Sequence, residues 1–103
     1  MIEHDKLVRD RIPELIEKAG KKCKFRKLEQ EEYQLKLKEK LREEVVEYLK
    51  SDDFEELADI LEVIRALVIT HNKDMEALED KRKKKKESRG AFENRQLLIK
   101  AEE

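Results

Sequence analysis

Apolar residues recur along this chain at helical intervals, and the recurrence is strongest in two long runs. From about Gln30 to Lys50, the positions Tyr33, Leu37, Leu41, Val45, Tyr48 and Leu49 specify one face of an amphipathic helix of roughly 20 residues, or ~30 Å. From Phe54 to Thr70 the apolar arc is wider and takes in Phe54, Leu57, Ile60, Leu61, Val63, Ile64, Leu67 and Val68, which makes this the central helix. Ser51-Asp52-Asp53 supplies several side chains able to cap that helix, and so short a connection predicts an antiparallel hairpin. Asp53 and Glu56 also have the spacing of a capping box.

Weaker patterns flank the hairpin. KLVRDRIPELIEKAG reads as a short helix that starts near Pro13 and ends at Gly20, with Ile12, Leu15 and Ile16 as its apolar residues. KKCKFRKLE alternates basic residues with Cys23 and Phe25, a weak strand signal. After His71-Asn72, the run from Asp74 to Glu87 predicts a more exposed helix with Met75 and Leu78 facing inward, broken by Ser88-Arg89-Gly90. The closing AFENRQLLIK fits a short strand or a docked tail anchored by Phe92, Leu97 and Leu98. No heptad repeat is sustained, which argues against a simple coiled coil. The expected fold is all-α: an antiparallel helical bundle around a central helix hairpin, with a short N-terminal helix and a C-terminal tail. It forms a single domain over residues 1–103, with one modest core, so any larger assembly requires oligomerisation.

Composition sharpens this picture. Half the residues are charged and 38% are hydrophobic, below the usual ~45–50% of a globular domain, which points to long helices with solvated faces. Lys and Arg number 25 against 26 Asp and Glu, so the overall charge does not predict binding to nucleic acid or an anionic membrane, and local patches are judged separately; a nucleic-acid or membrane partner is not expected. The segment around Ile64 to Ile69 is interrupted by Arg65 and is far shorter than the ~20 residues that span a bilayer. Glu3 and Asp5 stand where a secretory signal would show basic residues before an apolar run. The lone Cys23 suits a reducing compartment, and a soluble cytoplasmic protein is expected.

Four carboxylates interrupt the apolar faces. On a wheel at about 100° per residue, Glu44 falls in the arc of Tyr33, Leu37, Leu41, Val45 and Tyr48, with Glu47 at its border. Glu56 likewise falls among Leu57, Ile60, Val63, Ile64 and Leu67, with Asp59 at the border. Glu43, Glu55 and Glu62 fall on the outer arcs. Buried carboxylates end up paired, protonated or bound to metal, and a hairpin brings both pairs to one region. Their hard oxygens suit Mg²⁺ or Mn²⁺, and no His or Cys lies close in sequence to either pair to favour zinc. Lys40, one turn before Glu44, is placed to neutralise such a site or touch a phosphate. His4 and His71 form no nucleophile or base constellation, and His71 falls near a helix C-terminus.

The pattern Glu44-Val45-Val46-Glu47 followed by Glu56-Leu57-Ala58-Asp59 resembles the hallmark of the MazG-like, all-α nucleoside triphosphate pyrophosphohydrolases. The segments KLVRDRIPELIE at 6–17 and ESRGAFENR at 87–95 are similar to the branch that resembles phosphoribosyl-ATP pyrophosphohydrolases, so the likeness spans nearly the whole chain. The resemblance implies Mg²⁺-dependent hydrolysis of a nucleotide between its α and β phosphates, giving a monophosphate and pyrophosphate. It also implies a homo-oligomer, most simply a dimer, and makes Glu44, Glu47, Glu56 and Asp59 the metal ligands. One of Glu44 and Glu47 would then help deprotonate the attacking water.

Basic residues offer partners for the phosphates. Lys6, Arg9 and Arg11 combine with a helix start, where unpaired backbone N–H groups favour anions, although pairing with Asp5, Asp10 or surface acids is an equal alternative. Lys81 to Lys86, bracketed by Glu79-Asp80 and Glu87, reads first as a solvated helix face. A phosphate-steering role for some of these, with Arg89 and Arg95, is the sharper alternative. A competing reading is a non-catalytic helical interaction module whose acidic pairs form salt bridges with Lys40, Lys36 or Arg65.

Overall fold

A computed structural model describes residues 2–102 and is all-helical, with no strand among the described residues. The helices are α1 (Ile12–Lys18), α2 (Gln30–Ser51), α3 (Phe54–Thr70) and α4 (Met75–Arg89). Pro13 sits in the first turn of α1, where its fixed φ suits a helix start. Gly20, at φ 81°, follows that helix in a conformation other L-residues avoid. Residues 21–29 form no strand, and Cys23 is half-buried with its Sγ 3.7 Å from the Pro13 carbonyl. Alternation alone does not make a strand where no second strand offers its backbone groups.

The hairpin turns in two residues. Asp52 ends α2 in the left-handed region (φ 55°, ψ 22°), which Asp tolerates better than most side chains. Asp53 then caps α3 by accepting a hydrogen bond from the Glu55 amide at 3.0 Å. The capping box is not completed: the Asp53 amide donates to Ser51 Oγ at 3.1 Å, leaving the Glu56 side chain to point elsewhere. Helices α2 and α3 make the main tertiary contact, and α4 touches α3 alone.

The buried apolar core consists of Leu37, Val63 and Val68. The apolar arc predicted for α3 is therefore only partly covered, since Phe54 is 83% exposed and Leu61 54%. Met75 faces inward, whereas Leu78 is exposed. Residues 91–102 form neither a strand nor a docked tail, with Phe92, Leu97 and Leu98 in solvent because none of the described residues covers them. The chain has a radius of gyration of 18.2 Å, against about 13 Å for a compact domain of this length. It exposes 10247 Å², where a compact monomer of its mass would expose about 6100 Å². No described helix is long and apolar enough to cross a membrane.

Candidate metal centre

Two helices and a short turn bring the acids together. Glu44 lies eight residues before Asp52 and Asp59 six after Asp53, so at 1.5 Å per residue they stand at about 12 and 9 Å from the turn. Glu56 occupies the first turn of α3, one turn before Asp59 on the same face. Carboxylate oxygens of Glu44, Glu56 and Asp59 all lie within 4.8 Å of one another. Glu44 is buried and the other two are half-buried.

Glu47 stands outside this trio. It is exposed on α2, as its border position on the wheel allows, so the expected quartet becomes three converging acids with a fourth at the rim. Its charge still reaches the site. Burial is the main cause raising the Glu56 carboxyl above its ordinary value, followed by the negative charges of Glu47 and Asp59, a hydrogen bond with Asp59 and the charge of Glu44.

Cations partly balance the trio. Lys40 Nζ lies 3.3 Å from Glu44 Oε1 and 3.4 Å from Glu43 Oε2, so the expected neutralising contact is present. Arg9 Nη2 donates to Asp59 Oδ1 at 2.7 Å, joining positions 50 residues apart. Among the described residues no cation pairs with Glu56.

The other expected phosphate contacts are dispersed. Lys6 pairs with Glu43 at 3.6 Å and Arg11 with Glu14 at 3.4 Å, the surface-acid alternative left open by the sequence. Arg89 closes α4 and is exposed, and no described ion pair links it to the trio. Lys81 to Lys86 are all exposed, with Arg82 held by Glu79 within its own helix, so this run is a solvated face. Glu43 is the residue the wheel undervalued. It is half-buried between Lys6 and Lys40, and its i,i+3 spacing from Lys40 was the available signal.

Three hard anionic oxygens, one of them buried, fit a small divalent cation such as Mg²⁺ or Mn²⁺. At metal–oxygen distances of about 2.1 Å, oxygens on one ion are at most about 4.2 Å apart, so small side-chain rotations would close the trio around it. The donor set lacks the nitrogen or sulfur that favours zinc. The chain matches no protein-family model, and no curated protein or solved structure matches it.

Proposed function

We propose that this chain is a Mg²⁺-dependent nucleotide pyrophosphohydrolase of the MazG-like kind, cleaving between the α and β phosphates. The observation that carries the reading is the convergence of Glu44, Glu56 and Asp59 within 4.8 Å, because these positions belong to the motif that carries the resemblance. Glu44, Glu56 and Asp59 would hold the ion, with Mn²⁺ as a substitute. Bound there, the cation supplies charge neutralisation and orientation for attack of water on phosphorus. Glu47, exposed at the rim, is placed to take the proton from that water or to approach a further ion. Lys40 offsets the charge on Glu44 and Glu43. Lys6, Arg9 and Arg11 are further cations for the phosphates, each leaving an acid partner to reach them, and of the three only Arg9 contacts the trio.

The functional form is a homo-oligomer, most simply a dimer. Three buried apolar side chains make a small core, while Leu49, Phe54, Leu57 and Leu61 stay exposed along the hairpin. The roughly 4000 Å² of surface beyond that of a compact monomer exceeds what a standard interface buries.

A second reading, the helical interaction module with salt-bridged acids, is favoured by the Lys40–Glu44 pair. It leaves Glu56 without a cation, and its other candidate partners are engaged elsewhere: Lys36 with Asp5 and Glu39, Arg65 with Glu62. A panel of standard and modified nucleoside triphosphates with Mg²⁺, assayed separately for pyrophosphate and phosphate, distinguishes the readings. The enzyme releases pyrophosphate from at least one member of the panel. Inertness towards all of them, with no saturable Mn²⁺ binding, leaves the module.

A further inference from the structure

Residues 5–11 lie across the hairpin as a non-helical strap, and side chains fasten it at three points. Asp5 Oδ2 is 3.3 Å from Lys36 Nζ, Lys6 pairs with Glu43 at 3.6 Å, and Arg9 donates to Asp59 at 2.7 Å. Beneath it is a polar recess of about 200 Å³ lined by Asp5, Lys6, Lys36, Lys40 and Glu43, among others. Leu7 is half-buried and Val8 exposed, so apolar burial contributes little to holding the strap down. Its attachment is chiefly electrostatic.

From this arrangement we propose that Arg9 is a mobile counter-ion, competing with a divalent cation for Asp59 and released to the incoming phosphates once the cation is bound. The inference rests on the reading of the trio as a metal centre. Asp59 Oδ1 is both the acceptor of the Arg9 hydrogen bond and part of the carboxylate that would ligate the ion. A guanidinium and a divalent cation at one carboxylate repel each other, so a gain by one is a loss for the other. The exchange is inexpensive because the Arg9 and Asp59 side chains are 56% and 41% exposed, and pairs this open contribute little to stability. Arg9 then stands beside the metal centre with its forked donors uncommitted, the geometry that suits phosphate oxygens. Lys6 and Arg11 lack this coupling because their partners Glu43 and Glu14 lie outside the trio.

The test is a calorimetric titration of the full chain with Mn²⁺ alone, comparing wild type, Arg9→Gln, Arg9→Lys and the control Arg65→Gln, which removes the same charge from the Glu62 pair on α3. The guanidinium signals of Arg9 and Arg65 are followed by NMR in wild type as Mg²⁺ is added. Competition tightens Mn²⁺ binding about two- to five-fold in Arg9→Gln, the range set by an exposed ion pair. Arg9→Lys stays near wild type, Arg65→Gln is unchanged, and Mg²⁺ shifts the Arg9 signal towards that of a solvated arginine while Arg65 stays put. Equal or weaker Mn²⁺ binding in Arg9→Gln overturns the role of Arg9 and leaves the metal centre standing, as does an unmoved Arg9 signal at saturation. No saturable binding in any form overturns the metal centre itself, and the inference with it.

Discussion

Lys40 Nζ lies 3.3 Å from Glu44 Oε1, and the two side chains are only 18% and 10% exposed. A carboxylate so far out of water depends on its partner, because removing one member of a buried pair leaves the other charge uncompensated. Replacing Lys40 with Met should therefore lower the urea stability of the metal-free protein by on the order of 2 kcal/mol. If Glu44 is a metal ligand, Mn²⁺ should restore part of that loss by binding the folded state alone. A Lys40→Met protein as stable as wild type would mean that Glu44 has no need of a counter-ion.

Glu56 and Glu32 should respond to pH in opposite directions. Burial and neighbouring acids raise the Glu56 carboxyl, so the metal-free folded state holds that proton more tightly than the unfolded chain. Its penalty is absent in acid and grows as pH rises above the ordinary carboxyl value of 4.5 and through the raised one. The bidentate hydrogen bonds from Arg26 hold Glu32 below 4.5, so its contribution is complete above 4.5 and disappears as pH falls through the lowered value. Urea midpoints between pH 3 and 7 should show Glu56→Gln gaining on wild type as pH rises. Glu32→Gln should fall behind over the same range, and parallel curves for all three proteins would refute both assignments.

The two-residue turn that sets the heights of the acids depends on Asp53. Loss of its hydrogen bond from the Glu55 amide in Asp53→Ala should cost about 1 kcal/mol of thermal or urea stability. Because Glu56 lies in the turn that Asp53 caps, Mn²⁺ affinity should fall as well. An unchanged midpoint would show that Ser51 and the packing of α3 suffice to fix the helix start.

The exposed stripe on α3 should be an interface. Phe54, Leu57 and Leu61 repeat at helical spacing, and a carboxylate at the middle of an apolar contact between copies is costly to bury. Light scattering should give an oligomer for wild type and a monomer for Leu61→Glu at micromolar concentration. A monomeric wild type would remove the interface from the account.

Much of this arrangement was legible in residue spacing. Phe54 and Thr70 bound α3 as expected, since Asp53 is a strong cap and the apolar arc leaves little freedom in where the helix lies. The burial of Glu44 followed from the wheel for the same reason. Periodicity treats Glu47 and Asp59 alike, as border residues, and it took the packing of α2 on α3 to bring Asp59 into the trio and leave Glu47 in solvent. The Arg9–Asp59 pair was beyond reach because it spans 50 residues and one partner lies on irregular chain, where no repeat sets direction. Phe92, Leu97 and Leu98 carry the apolar character of a docked tail yet stand in solvent, because apolar character without helical periodicity does not fix where a segment lies.

Hydrolysis of a nucleoside triphosphate in ¹⁸O-labelled water with Mg²⁺, with products resolved by mass spectrometry, tests the central claim most directly. Cleavage between the α and β phosphates places the label in the monophosphate when water attacks the α phosphorus, or in pyrophosphate when it attacks the β, and forms no free phosphate. Asp59→Asn, still helical, should slow the reaction about 100-fold or more. Label in free phosphate, or equal turnover by wild type and Asp59→Asn, would contradict it.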